Sequence, residues 1–151
     1  MNAADLEQYL HDHIPVSRAM GISVVAASVD AVELRAAIAP NVNHRNTAFG
    51  GSVASLAILA GWSLLRIGLH GHNPIPQIVI QRSTMEYVTP VLEDFDAVCR
   101  RPSAVVWQRF MSAFTRRGRG RLSLAVDVRC DGTQVGHLTG VFVAMDVGQC
   151  S

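Results

Sequence analysis

Residues 41–71 read NVNHRNTAFGGSVASLAILAGWSLLRIGLHG. A polar loop runs into the pair Gly50–Gly51, and about eighteen residues follow that are apolar on nearly every side, broken only by Ser52, Ser55, Ser63 and Arg66. Proline is absent and Ala and Leu dominate, so the run predicts a helix over about 50–70. A helix apolar all round belongs inside a protein. Its first turn carries unpaired N–H groups and the positive end of the helix dipole, and two glycines there let a ligand come close to the backbone. The stretch is therefore read as a buried central helix whose N-terminus is a binding or reaction site. The plainer reading, a glycine helix entry without a ligand, stands beside it. Gly61, the serines and Arg66 dilute the run, and no membrane span is expected.

A chain of 151 residues with 49% hydrophobic and 17% charged residues fits one domain, 1–151, with a substantial core, and excludes disorder. A net charge of +1 gives no global basic field, so nucleic acid is not an expected partner. Arg100, Arg101, Arg109, Arg116, Arg117, Arg119 and Arg121 nevertheless crowd one third of the chain, a local anion-binding surface or a solvated basic turn. Cys99, Cys130 and Cys150 form no CxxC, and the histidines show no ligand spacing. Reduced thiols in a cytoplasmic protein, and no metal site, are the expectation. Acidic residues at positions 5, 7 and 12 interrupt the N-terminus before any signal-like apolar run forms.

In chain order, a short helix from about Ala4 ends at Pro15. Strands are expected over Met20–Ser28 and Val32–Ala39, and a long one over Ile78–Val88. Simple alternation puts Ile78, Ile80, Arg82, Thr84, Glu86 and Val88 on one face of that long strand, and Val79, Gln81, Ser83, Met85 and Tyr87 on the other. A fourth strand follows over Phe95–Arg101. Ser103 is a candidate N-cap for an extra helix over about 103–116, with Val106, Trp107, Phe110, Met111 and Phe114 at helical spacing. Arg121–Cys130 and Gln134–Met145 flank Asp131-Gly132 as a hairpin, and the last six residues are expected to be loose. The architecture implied is α+β: a mostly antiparallel six-stranded sheet around the long helix.

Several polar residues near the glycine pair are candidates for chemistry. Asn43 is a site residue or a turn residue. His44, the histidine beside the glycine pair, is a catalytic or a surface-loop residue, and Ser52 lacks a nucleophile elbow. Arg82 in mid-strand calls for a partner if buried, and Glu86 is the obvious one.

The strings NVNHRNTAFGG, LAGWSLL, QIVIQRSTMEYVTPV, WQRF and RRGRGR resemble the hot-dog fold of acyl-CoA and acyl-carrier-protein thioesterases. They look most like the thioesterase domain that follows an acetyltransferase domain in YiiD-type proteins. The resemblance implies a homodimer joined sheet edge to sheet edge, with dimer pairing into tetramers open. It implies sites at the interface where one central helix begins, with coenzyme A or phosphopantetheine present only as part of the substrate. It carries thioester or water binding onto Asn43 and the N–H of Gly51. The helix carboxylate of many relatives is replaced here by Ile58, and Phe49 stands where a His or Gln is common. The base would then be Glu86, or water would be oriented by Asn43, His44, Ser52 and Ser83. Phe49, Gly50, Leu56 and Trp62 would line the acyl chain, with Arg82, Arg116, Arg117 and Arg119 as further substrate contacts, the last three toward phosphates or an acidic carrier. Hydrolysis is the reading; decarboxylation of a malonyl thioester and a non-catalytic acyl-binding module are the alternatives.

Overall fold

The computed structural model, which describes residues 1–149, opens with helix α1 (Ala3–His13), whose first turn is closed by a reciprocal cap between Asn2 and Asp5. Leu6 and Leu10, one turn apart, are fully buried. Pro15 does more than end this helix: it is the first residue of a second short one, α2 (Pro15–Ala19), a position where its missing N–H costs nothing. Strands β1 (Ile22–Ala27) and β2 (Ala31–Ala36) form the expected hairpin. A 3-10 turn at Ala39–Asn41 and a loop then lead to α3 (Gly50–Gly68).

Three further strands, β3 (Gln77–Tyr87), β4 (Phe95–Arg100) and β5 (Arg119–Cys130), are followed by β6 (Thr133–Met145), with α4 (Ala104–Arg117) between β4 and β5. The six strands form one sheet in the order β1-β2-β4-β5-β6-β3, antiparallel throughout. Asp131 and Gly132 both have positive φ, as the tight β5–β6 turn requires. Gly118, left-handed, ends α4, so β5 begins at Arg119, two residues before the sequence expectation. The tail expected to be loose includes a 3-10 turn at Val147–Gln149; residues 150 and 151 lie outside the described ones.

The sheet wraps α3, whose apolar length is accounted for by the core it fills. Leu56, Ala57, Ala60 and Leu65 are wholly buried among Leu34, Ala97, Val126, Leu138 and Phe142. Gly61 is a packing requirement, since a Cβ there would stand 2.7 Å from the ring of Phe142. Arg66, only 5% exposed, lies 4.9 Å beneath the ring of Tyr9.

Two features of the sheet position everything that follows. First, β3 carries a bulge: Ile80 pairs with Phe142 and Arg82 with Val141, leaving Gln81 as an extra residue. Beyond it the alternation is reversed. Ser83, Met85 and Tyr87 share the inner face with Ile78 and Ile80, opposite the buried Gly140, Leu138 and Gly136, and Arg82, Thr84 and Glu86 turn outward. The face assignment made from simple alternation is therefore wrong past residue 80. Second, the sheet edges differ. At β1 the outward N–H of Val24 donates to the Glu7 carboxylate at 2.8 Å and the Ile22 carbonyl meets His11 Nε2 at 2.8 Å. On β3 the only such side-chain bond among the described residues is at its start, where the Trp62 indole donates to the Ile78 carbonyl at 3.1 Å.

Candidate functional site at the start of the central helix

The loop before α3 is built by three asparagines with different tasks. Asn41 is buried, and its Nδ2 donates to the carbonyls of Met20 at 2.8 Å and Ala37 at 2.6 Å. Asn46 takes the left-handed conformation, φ 60°. Asn43 organises the turn between them. Its Oδ1 accepts from the N–H groups of Arg45 (2.9 Å) and Thr47 (3.2 Å), and its Nδ2 donates to Thr47 Oγ1 at 2.8 Å. A bridge between Val42 and Ala48 closes the loop. The N–H of Phe49 then donates to the Asn41 carbonyl, fixing where α3 starts.

In the first turn of α3 the N–H groups of Ser52 and Val53 both reach the Phe49 carbonyl. Those of Gly50 and Gly51 have no acceptor among the described residues. Gly51 is exposed. Phe49 is 57% exposed and its ring lies over Gly51, where a Cβ would meet it at 2.4 Å. On the other side, the Tyr87 hydroxyl donates to the Gly50 carbonyl at 2.9 Å. Tyr87, with Thr47, Ala48, Val53, Val91 and Val135, also lines a cavity of about 280 Å³. The result is a pair of free backbone donors between two aromatic rings and beside a hollow of mixed polar and apolar lining. Such donors, at the positive end of a helix, suit a carbonyl oxygen on which negative charge develops.

The other candidates divide between this corner and elsewhere. Ser52 is half-buried in the same first turn, and His44 is exposed in the loop, without a hydrogen-bond partner among the described residues. Ser83 is on the inner face of β3 and exposed. Glu86 and Arg82 are on the outer face and exposed; no ion pair joins them, and an exposed Arg82 needs none. Leu56 is fully buried in the core and lines no open surface. Trp62 is half-buried, its indole N–H donating to the Ile78 carbonyl at 3.1 Å. Arg116, Arg117 and Arg119 are exposed around the end of α4, and α4 packs through Trp107 against Gly68, at the far end of α3. Seventeen residues of helix put that end about 25 Å from Gly51 of the same chain. Among the described residues no three His, Cys, Asp or Glu side chains converge to hold a metal ion.

The family model described as "Putative thioesterase (yiiD_Cterm)" matches residues 3–146. The chain belongs to the YiiD C-terminal thioesterase family. Among solved structures, a Chlorobaculum tepidum protein of unknown function is 27% identical, with 95% of this chain and 94% of that one covered and a TM-score of 0.89. A Shewanella oneidensis protein described as a "putative thioesterase" is 26% identical, with 95% and 97% covered and a TM-score of 0.81. A Haemophilus influenzae thioesterase, 13% identical over 99% of this chain and 94% of its own, shares the fold at a TM-score of 0.78. The α+β hot-dog fold expected from the sequence is thus established, with α3 as its central helix. Three residues of the family member's candidate site escaped sequence reasoning: Asn41, Thr47 and Tyr87. Only Asn41 carried a signal, an asparagine directly after a proline and before the loop.

Proposed function

We propose that this thioesterase-family protein acts on acyl thioesters of coenzyme A or of a phosphopantetheine-bearing carrier protein, with the thioester carbonyl oxygen received by the N–H of Gly51. The observation that carries the reading is the pair of unacceptored amides at Gly50, half-buried, and Gly51, exposed, at a helix N-terminus beside a cavity of mixed lining. In hydrolysis, water adds to the carbonyl carbon, the oxygen takes up negative charge against the Gly51 amide, and the thiolate departs as the acid forms. The second Nδ2 hydrogen of Asn43, which has no acceptor among the described residues, is the side-chain donor for that oxygen or for the water. A short acyl group fits the cavity at Val53, Tyr87 and Val135, whose volume of about 280 Å³ falls just below the usual range of small-molecule sites, about 300–1,000 Å³.

The working unit is a homodimer. Beyond Ile78 the β3 edge is open while the β1 edge is blocked by Glu7 and His11, and half-buried Ile58 and Trp62 on α3 give a second copy an apolar stripe to cover. Pairing β3 with its twin continues the sheet and brings Ser83 of each chain toward its partner's site. Coenzyme A or phosphopantetheine enters only as substrate.

Decarboxylation of a malonyl thioester is favoured as a second reading by one observation. α3 carries no acidic residue, and the bulge turns Glu86 away from the face that bears Tyr87 and Gly50. In that reaction the bond to the carboxylate breaks, its electron pair forms an enolate held at Gly51, carbon dioxide leaves, and solvent returns a proton. No protein base is needed. Incubation with malonyl-CoA and with a series of saturated acyl-CoAs, following carbon dioxide and free thiol in parallel, separates the two reactions. Tight binding with neither product released would overturn both and leave an acyl-binding module.

A further inference from the structure

We infer that Tyr87 is a positioning residue that orients and strengthens the Gly51 donor through the Gly50 carbonyl. The inference deepens the proposed function and rests on its assignment of Gly51 as the oxyanion donor.

The carbonyl of Gly50 and the N–H of Gly51 belong to one planar peptide unit, so a group that grips one end sets the direction of the other. The Tyr87 hydroxyl grips it, donating to Gly50 O at 2.9 Å, and the phenol ring lies flat enough on Gly50 that a Cβ there would sit 3.4 Å from Cζ and from the hydroxyl oxygen. Nothing else restrains this peptide from the loop side. The residue before it, Phe49, supplies no side-chain cap, and both residues that share the peptide are glycines, which resist rotation least. A carbonyl oxygen has two lone pairs, one of which serves the helix ladder at Ala54, and Tyr87 takes the other.

The second effect is electronic. A hydrogen bond to the carbonyl polarises the amide and makes its N–H a stronger donor, by about 10–30% per bond. That strengthening matters most when the acceptor becomes an oxyanion, so it acts on kcat more than on KM. The contact exists only because of the bulge at Gln81. Without the extra residue Tyr87 would point to the outer face with Arg82 and Glu86, as simple alternation has it. The long strand thus delivers a phenol to the helix start and withdraws a carboxylate from it in one step.

The test compares Tyr87→Phe with 3-fluorotyrosine at position 87, at a pH that keeps the more acidic phenol protonated, using whichever acyl-CoA or malonyl-CoA the wild type turns over fastest. Tyr87→Phe keeps the ring and should lower kcat about tenfold, a fraction of the 10²–10³ expected for losing a whole oxyanion donor, with KM unchanged within about twofold. The fluorinated protein should exceed the wild type in kcat. The ¹H–¹⁵N signal of Gly51 should move upfield in Tyr87→Phe. A kcat within twofold for Tyr87→Phe, or no ordering with phenol acidity, overturns the inference. A coenzyme A analogue with a ketone in place of the thioester separates the two levels. If it leaves the wild-type Gly51 signal unmoved, the oxyanion assignment falls and this inference with it; if Gly51 responds and Tyr87→Phe behaves as the wild type, only the role of Tyr87 falls.

Discussion

Asn43 invites an experiment in which two substitutions must disagree. Three hydrogen bonds leave its side chain, two accepted by Oδ1 and one donated by Nδ2, all within the loop that ends at Thr47. At about 0.5–1.5 kcal/mol each in net terms, Asn43→Ala removes about 1.5–4.5 kcal/mol of loop stability, a drop of roughly 3–18 °C in Tm if the loop unfolds with the domain. Any loss of turnover in Asn43→Ala is therefore ambiguous, since a disordered loop also misplaces Phe49 and the start of α3. Asn43→Asp is not ambiguous. The carboxylate still accepts from the Arg45 and Thr47 amides, more strongly for being charged, and the Thr47 hydroxyl can reverse and donate to it. What disappears is the free N–H. Asn43→Asp should keep its Tm within about 2 °C of the wild type, yet lose on the order of a hundredfold in kcat, because it removes one oxyanion-type donor and places negative charge near the developing one. Thermal melts by circular dichroism and steady-state thiol release on the same samples give both numbers. Wild-type turnover in a fully stable Asn43→Asp protein would show that Asn43 only shapes the loop.

Three shorter predictions follow from the same geometry. Gly51→Ala gains about 1 kcal/mol in helix propensity but drives a methyl to 2.4 Å from Phe49, so the ring must swing away; stability should hold while kcat/KM falls, and an unchanged kcat/KM would show that this aromatic wall does not matter. Replacing Ser83 and Thr84 together by lysine puts charge on the open β3 edge, and light scattering should report monomers where the wild type gives dimers. Burial pushes the Cys99 thiol from 9.0 up to about 12. Below about pH 9 the thiol is protonated folded or unfolded and contributes no pH dependence; above it only the unfolded chain ionises, so stability falls progressively between about 9 and 12. Urea midpoints measured from pH 8 to 11 should show this slope, and Cys99→Ala should flatten it.

The sequence was most legible where a residue's local chemistry has one outcome. Asp131-Gly132 could hardly be anything but a tight hairpin turn, Ser103 caps α4 as its type predicts, and the apolar run ahead of Leu69 had to be covered by a sheet. It misled where register decides. Nothing in IQRST marks Gln81 as an extra residue, because a bulge of this kind needs neither Gly nor Pro, so simple alternation groups Arg82 and Glu86 with Ile78 and Ile80 and sets Tyr87 on the opposite face. Leu56, expected to line the acyl chain, is fully buried in the core: a helix apolar on all sides does not say which of its faces remains open. Asn43 stood between a site role and a turn role in the sequence, and its three contacts inside the loop could not be read from its neighbours.

By itself, then, the chain's composition and spacing determined an α+β domain with one buried helix and a glycine pair at its head, since burial of apolar surface and the conformational limits of Gly, Pro, Asn and Asp act over a few residues. Which side chains meet that glycine pair was decided only by the tertiary structure. One inserted residue in β3 exchanges the faces of everything after it, and that choice depends on the pairing with β6, about sixty residues further along the chain.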